Sequence, residues 1–74
     1  MNKYFDDILA HPHIEIIDLK KYQVYHLSNK KGEIVFNSRI KKLYFRIGGK
    51  EREIKDQKEI DKFYDCINRE PLYK

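Results

Sequence analysis

The sequence predicts an α+β fold in which one antiparallel meander sheet of four or five strands carries a short N-terminal helix and a C-terminal helix on one face. Apolar residues recur at helical spacing at both ends of the chain, and between them the apolar period changes to two. Short polar separators divide the alternating segments, as is typical of hairpins. At 74 residues the chain has room for one small core, so we predict a single domain over residues 1–74.

The first helix is predicted over about residues 3–10. Asn2 is a residue type that favours the N-cap, and Pro12 ends the helical pattern. The apolar residues that share one face of this helix are Phe5, Ile8 and Leu9. Isolated helices need about 12–15 residues to be stable in water, so this helix is expected to dock on the rest of the domain.

Five candidate strands lie within residues 14–54, with the sequences IEIIDL, YQVYHLS, EIVFN, KLYFRI and KEREI. The separators are KK, NKKG, SRIK and GG. No Gly, Pro or Asn stands between the first two segments, so residues 14–27 are also compatible with one long bent strand. The number of strands is therefore four or five.

Loop length predicts which residues face each other, because directly opposed residues of an antiparallel pair lie on the same side of the sheet. A four-residue loop at 29–32 pairs Leu27 with Ile34 and Tyr25 with Phe36, which gives a coherent apolar face. A three-residue loop would turn these side chains over, so the first register is preferred.

The glycine pair at 48–49 favours a two-residue primed turn, because both central residues can adopt positive φ. This turn pairs Phe45 with Arg52 on one face and Arg46 with Glu51 on the other. The last strand then directs Arg52, and Lys50 with it, toward the core side. Inward-pointing charge protects edge strands against aggregation, so this strand is predicted at the edge of the sheet.

The C-terminal helix is predicted over about residues 57–69. Asp56 is a favourable N-cap, and Glu59 three residues later completes a capping-box pattern. One apolar stripe follows, consisting of Ile60, Phe63, Tyr64 and Ile67.

No catalytic or metal site is predicted, so the protein is expected to be neither an enzyme nor dependent on a cofactor. Cys66 has no nucleophile motif around it, and Asp65 beside it disfavours a thiolate, so it is interpreted as a partly exposed structural thiol. His11 and His13 lack the remaining ligands that a structural zinc site needs at regular spacing. One cysteine also fits a reducing compartment.

Residue usage predicts a cytoplasmic protein from an AT-rich genome. Phe, Tyr, Met, Ile, Asn and Lys, which have AT-rich codons, account for half of the chain. No apolar run exceeds three residues, so neither a membrane span nor a membrane partner is expected. Small chains of this class are frequently accessory or inhibitory proteins of phages and mobile elements, in which case the compartment would be the host cytoplasm.

Positive charge is concentrated in the middle of the chain. Residues 20–42 carry a net charge of +6 within a total of +4. In a meander, alternate turns share one end of the sheet, which would bring together five basic residues, namely Lys20, Lys21, Arg39, Lys41 and Lys42. This basic rim is a candidate phosphate-binding site, and nucleic-acid binding is therefore the alternative functional hypothesis.

The outer face of the sheet is the candidate site for a protein partner. Its predicted contact residues are Tyr44, Arg46, Val24 and Val35, since aromatic side chains beside arginine are typical interface anchors. The preferred hypothesis is a small non-enzymatic binding protein, acting as an accessory or inhibitor by occupying the surface of a macromolecule. The small core is also compatible with a homodimer.

Overall fold

A computed structural model of the chain, which describes residues 3–69, confirms the predicted α+β fold with a five-stranded meander sheet. The elements in chain order are α1 (Lys3–Ala10), β1 (His13–Asp18), β2 (Gln23–Ser28), β3 (Gly32–Asn37), β4 (Lys42–Ile47), β5 (Lys50–Ile54) and α2 (Gln57–Arg69). All four neighbouring strand pairs are antiparallel and joined by short turns. The predicted Asn2 cap lies outside the described residues.

The first strand is a separate element, which decides between the two arrangements that the sequence left open. β1 pairs with β2 along its whole length, from His13 opposite Ser28 to Asp18 opposite Gln23. It begins one residue earlier than predicted, because His13 already has a strand partner. The chain turns back within residues 19–22, where the Leu19 amide donates to the Tyr22 carbonyl over 2.9 Å.

Both predicted registers are confirmed. Leu27 faces Ile34 and Tyr25 faces Phe36 between β2 and β3. Across the turn at residues 48–49, Phe45 faces Arg52. The two glycines of this turn have φ values of 57° and 78°, as a primed turn requires.

The predicted edge strand β5 ends the sheet opposite β1. Its inward-pointing Arg52 guanidinium lies over the Phe45 ring, 5.8 Å from the ring centroid. At this edge the apolar side of the sheet is therefore covered by the charged side chain of Arg52, as the pattern of β5 predicts.

The core lies between one face of the sheet and the two helices. The helices contribute Phe5, Ile8, Leu9, Phe63, Cys66 and Ile67, and the sheet contributes Leu27, Ile34, Phe36, Leu43, Phe45 and Ile54. Ring contacts join the two layers: Phe5 meets Phe45 edge to face at 5.9 Å, and Phe36 lies 5.2 Å from Phe63. Both helices thus cover the same face, as predicted.

Cys66 corrects the sequence interpretation, because it is fully buried instead of partly exposed. Helix α1 packs beside α2, and the Cys66 thiol donates to the Leu9 carbonyl over 3.5 Å. Tyr64, predicted in the apolar stripe, lies at its margin and is 36% exposed while its ring contacts Phe36. The buried stripe of α2 therefore includes Cys66, which contacts α1, and has Tyr64 at its margin.

Candidate functional site

The face of the sheet opposite the helices is the candidate binding surface, and it is called the open face below. Alternation along the five strands assigns the following residues to it: His13, Glu15, Ile17, Val24, His26, Ser28, Glu33, Val35, Asn37, Lys42, Tyr44, Arg46, Glu51 and Glu53. Within residues 3–69 no helix packs on this side, since both helices bury their apolar residues against the other face.

All four residues predicted to contact a protein partner lie on the open face. Val35 and Tyr44 are directly opposed on β3 and β4, and Val24 lies on the neighbouring strand β2. These three are half-buried by their cross-strand neighbours, whereas Arg46 is exposed. Tyr44 also faces Glu53 on β5, as predicted.

Arg46 is held by two carboxylates on the neighbouring strands. Its Nη1 donates to Glu33 Oε1 and its Nη2 to Glu51 Oε1, both over 2.6 Å, and its Nε also donates to Glu51 Oε1 over 3.0 Å. The hydrogen bond with Glu51, followed by the charges of Glu33 and Glu51, raises the pKa of Arg46 above its already high ordinary value. The guanidinium is therefore a fixed cation in a defined orientation.

The charged row continues from Glu33 to the opposite edge of the sheet. His26 Nε2 lies 2.9 Å from Glu33 Oε2, and its Nδ1 lies 3.9 Å from Glu15 Oε1. Glu15 Oε2 in turn lies 3.6 Å from His13 Nε2. Paired polar side chains thus cross all five strands on the open face, and they separate its apolar residues from the turn at 48–49.

The basic rim lies at the other end of the sheet, beside those apolar residues. The β1–β2 turn carries Lys20 and Lys21, and the β3–β4 turn carries Arg39 and Lys41, with Lys42 opening β4. A meander brings these turns to one end, as predicted.

Hydrogen bonds fix the two turns of the rim against each other. The Ser38 amide donates to the Gln23 carbonyl over 3.0 Å, and the Gln23 amide donates to Ser38 Oγ over 2.8 Å. The Arg39 guanidinium lies over the Tyr22 ring, 5.7 Å from its centroid. The β1–β2 side of the rim is therefore joined to the β3–β4 turn by the hydrogen bonds between Gln23 and Ser38 and by the contact between Tyr22 and Arg39.

Within the β3–β4 turn, the Asn37 side chain accepts hydrogen bonds from the backbone amides of Arg39 and Ile40, over 2.9 and 3.4 Å. The Lys41 amide donates to the Asn37 carbonyl over 2.8 Å, and Lys41 adopts a φ of 57°. This turn is a fixed structure that presents Arg39 and Ile40 to solvent.

Three exposed apolar residues next to the rim were missed by sequence reasoning. Ile17 is 51% exposed, Leu19 39% and Ile40 52%. Leu19 and Ile40 lie in turns, where no periodicity assigns a side to them, and Ile17 interrupts the polar side of β1. These three residues are called the apolar margin below. Lys55, which directly follows β5 at the same end of the sheet, also extends the basic rim.

The described residues include neither a group of metal ligands nor a helix that could cross a membrane. Among residues 3–69, no three His, Cys, Asp or Glu side chains are grouped so that they could hold a metal ion. Both described helices are too short and too polar to span a membrane. The chain matches no known protein-family model, no curated protein and no solved structure.

Proposed function

We propose that this chain is a small non-enzymatic binding protein that occupies the surface of a protein partner. Its contact surface consists of the apolar side chains of the open face and the apolar margin, with the basic rim as its border. The partner it fits has exposed apolar side chains surrounded by carboxylates. In this role the chain would act as an accessory or inhibitory protein.

One observation carries the proposal: the exposed apolar residues lie at one end of the sheet, and the basic residues of the rim lie at the same end. Ile17 is directly opposed to Val24 on the open face, and Leu19 follows Ile17 in the adjoining turn. Ile40 is presented by the fixed turn beside Arg39. An apolar centre with a polar, charged rim is the usual composition of a protein interface.

The charges on the open face favour a protein over nucleic acid. Four carboxylates lie on this face, and the two on either side of Arg46 already satisfy its guanidinium. Aliphatic side chains also have no ring on which a base could stack, whereas single-stranded nucleic acids are usually bound on aromatic rings. Tyr44, the aromatic residue of this face, is opposed by Glu53, whose carboxylate would repel phosphate.

Nucleic-acid binding through the basic rim is the second candidate function, supported by the hydrogen bonds that hold the two basic turns together. In this alternative the phosphates would contact the predicted residues Lys20, Lys21, Arg39, Lys41 and Lys42. Affinity would then fall steeply with salt, because bound phosphates release counterions.

The two hypotheses are separated by affinity capture from nuclease-treated extract of the source organism, followed by titration of the captured protein. Tyr44→Ala and Ile17→Ala should each weaken binding at least about tenfold, because we expect both to be hot spots, whose truncation costs about 2 kcal/mol or more. Tyr4→Ala is the matched control, since Tyr4 is an exposed aromatic residue of α1 on the other layer. It should leave binding unchanged.

The protein-binding proposal fails if the only ligand is lost on nuclease treatment. It also fails if the captured protein binds Ile17→Ala and Tyr44→Ala as tightly as the wild type. Binding of labelled DNA or RNA that is steeply salt-dependent and abolished by the double substitution Lys41→Glu and Lys42→Glu would establish the alternative function.

A further inference from the structure

The two edge strands of the sheet, β1 and β5, are protected to very different degrees against pairing with a further strand. β5 begins with four consecutive charged residues, KERE, and Arg52 points toward the apolar side. β1 has the sequence HIEIID, in which half of the residues are isoleucine. Exposed edges of this apolar kind invite pairing with another strand, so natural proteins usually blunt or cover them.

The backbone groups that β1 directs outward can be identified from the hydrogen-bond pattern. Leu19 and Tyr22 form a hydrogen-bonded pair, and such pairs alternate along an antiparallel ladder. The Gln23 amide donates to Ser38 Oγ and the Gln23 carbonyl accepts from the Ser38 amide, both on the β3 side, so the pair of Asp18 with Gln23 is a non-hydrogen-bonded one. The amides and carbonyls of β1 that point away from β2 are therefore those of Ile14, Ile16 and Asp18.

The side chains of β1 are only partly covered by the helices. Ile14 packs at the margin of the core, Ile16 is half-buried without belonging to the core cluster, and Ile17 is exposed on the open face. The helix layer thus ends near β2, and within residues 3–69 this edge is left with open backbone groups beside apolar side chains.

We infer that β1 pairs antiparallel with β1 of a second copy of this chain, which gives a homodimer with one continuous ten-stranded sheet. A twofold axis normal to the sheet keeps the helices of both copies on one side and both open faces on the other. Directly opposed residues must have their side chains on the same side of the sheet. Even-numbered residues of β1 can therefore face only even-numbered residues of the second copy, and odd-numbered residues only odd-numbered ones.

Charge and hydrogen bonding select one of these registers. Centring the axis on Glu15 would place two glutamates directly opposite each other, and centring it on Ile17 would pair Ile14 with Lys20 at the turn. Centring the axis on Ile16 pairs Ile16 with Ile16 of the second copy, and Ile14 with Asp18 of the second copy. All three outward-pointing residues of each copy then find a partner, and Glu15 faces Ile17 of the second copy.

The mass of the protein in solution tests the dimer directly. Light scattering over a concentration series from low to high micromolar should give a mass rising from 9.1 kDa to twice that value. Ile16→Pro should hold the protein at the monomer mass, because it removes an outward-pointing amide while leaving the ladder between β1 and β2 intact. Circular dichroism of this variant reports whether the fold is kept.

Single cysteine substitutions test the register, with the buried Cys66 as an unreactive background. Oxidised Ile16→Cys should form a disulfide-linked dimer, because opposed residues of a hydrogen-bonded pair have Cα atoms about 5.5 Å apart, within disulfide range. Glu15→Cys and Ile17→Cys should not cross-link alone, since each would be two residues out of register. An equal mixture of the two should cross-link.

A monomer mass at every concentration overturns the proposal, as does a dimer that persists in a folded Ile16→Pro variant. Efficient cross-linking of Glu15→Cys alone contradicts the register that makes the edge self-complementary. If the protein stays monomeric and Ile16→Pro abolishes binding of a captured partner, the edge accepts a strand of that partner and not a second copy. The capture experiment with Tyr44→Ala is independent of all these results.

Discussion

Lys41 occupies a backbone conformation that glycine would adopt at lower cost. Its φ of 57° is the only positive value among the non-glycine residues described, and the left-handed region costs an L-residue about 1–2 kcal/mol. Lys41→Gly should therefore raise the free energy of unfolding by roughly 0.5–1 kcal/mol. The gain is smaller than the full cost of the left-handed conformation, because glycine loses more chain entropy on folding than lysine does. Urea denaturation followed by circular dichroism measures the difference.

Lys42→Gly is the matched control, because it removes the same side chain one residue later, inside β4. There glycine should lower the stability by up to about 0.5 kcal/mol, because Lys42 is the first residue of the strand and glycine loses more chain entropy on folding than lysine does. If both substitutions destabilise the protein equally, the positive φ is not a property of the folded turn. A cation kept at a strained backbone position is a pattern found at functional sites, and it supports a role for the rim in binding.

At the scale of the secondary-structure elements, the start of α2 depends on a single capping residue. Asp56 Oδ1 accepts a hydrogen bond from the Lys58 amide over 3.0 Å, and the Asp56 carbonyl accepts from the amides of Glu59 and Ile60. Asp56→Ala removes the side-chain acceptor and should destabilise the protein by about 1 kcal/mol, within the range of 0.5–2 kcal/mol for lost caps.

The control for Asp56→Ala is Asp61→Ala in the same helix. Asp61 is exposed and accepts from the Gln57 side chain one turn earlier, a pair worth only about 0.2–0.5 kcal/mol. Thermal and urea unfolding of both variants should therefore rank Asp56→Ala as clearly less stable. Equal losses would mean that the negative charge near the N-terminus matters and the cap does not.

Strands β3 and β4 approach each other too closely at Gly32 for any other side chain. A Cβ atom built on Gly32 would lie 2.7 Å from the Arg46 carbonyl oxygen, which cannot move without distorting the strand. Gly32→Ala should cost about 1–3 kcal/mol, as overpacking usually does. Amide exchange at Arg46, which forms the hydrogen-bonded pair with Glu33 next to Gly32, should accelerate in the variant. An unchanged free energy of unfolding would contradict this close approach.

The sequence predicts the sheet well because its constraints are local. Alternation assigns each strand residue to a face, and a slip by one residue would bury the polar side, so the facing of Leu27 with Ile34 follows from loop length alone. The burial of Cys66 could not be predicted this way, because it depends on where α1 docks against α2. Leu19 and Ile40 escaped prediction for a similar reason, since turn residues have no periodicity from which exposure can be inferred.

At the scale of the whole molecule, one core joins every layer, and Cys66 lies in it. This thiol is fully buried and contacts Leu9 of α1, while the same cluster includes residues of both helices and of β2–β5. No smaller unit within the described residues has a core of its own. We therefore expect the helices and the sheet to open together, in one cooperative transition.

The reaction of Cys66 with a thiol reagent measures this cooperativity. A core of this size supplies no more than about 3–5 kcal/mol, so labelling should be slowed about 10²–10⁴-fold relative to the unfolded chain. The free energy from labelling should equal that from urea unfolding if Cys66 becomes accessible only when the whole domain opens. The exposed thiol of Lys58→Cys on α2 is the control and should react close to the unprotected rate. Labelling of Cys66 much faster than global unfolding would show instead that α2 undocks from α1 while the sheet stays folded.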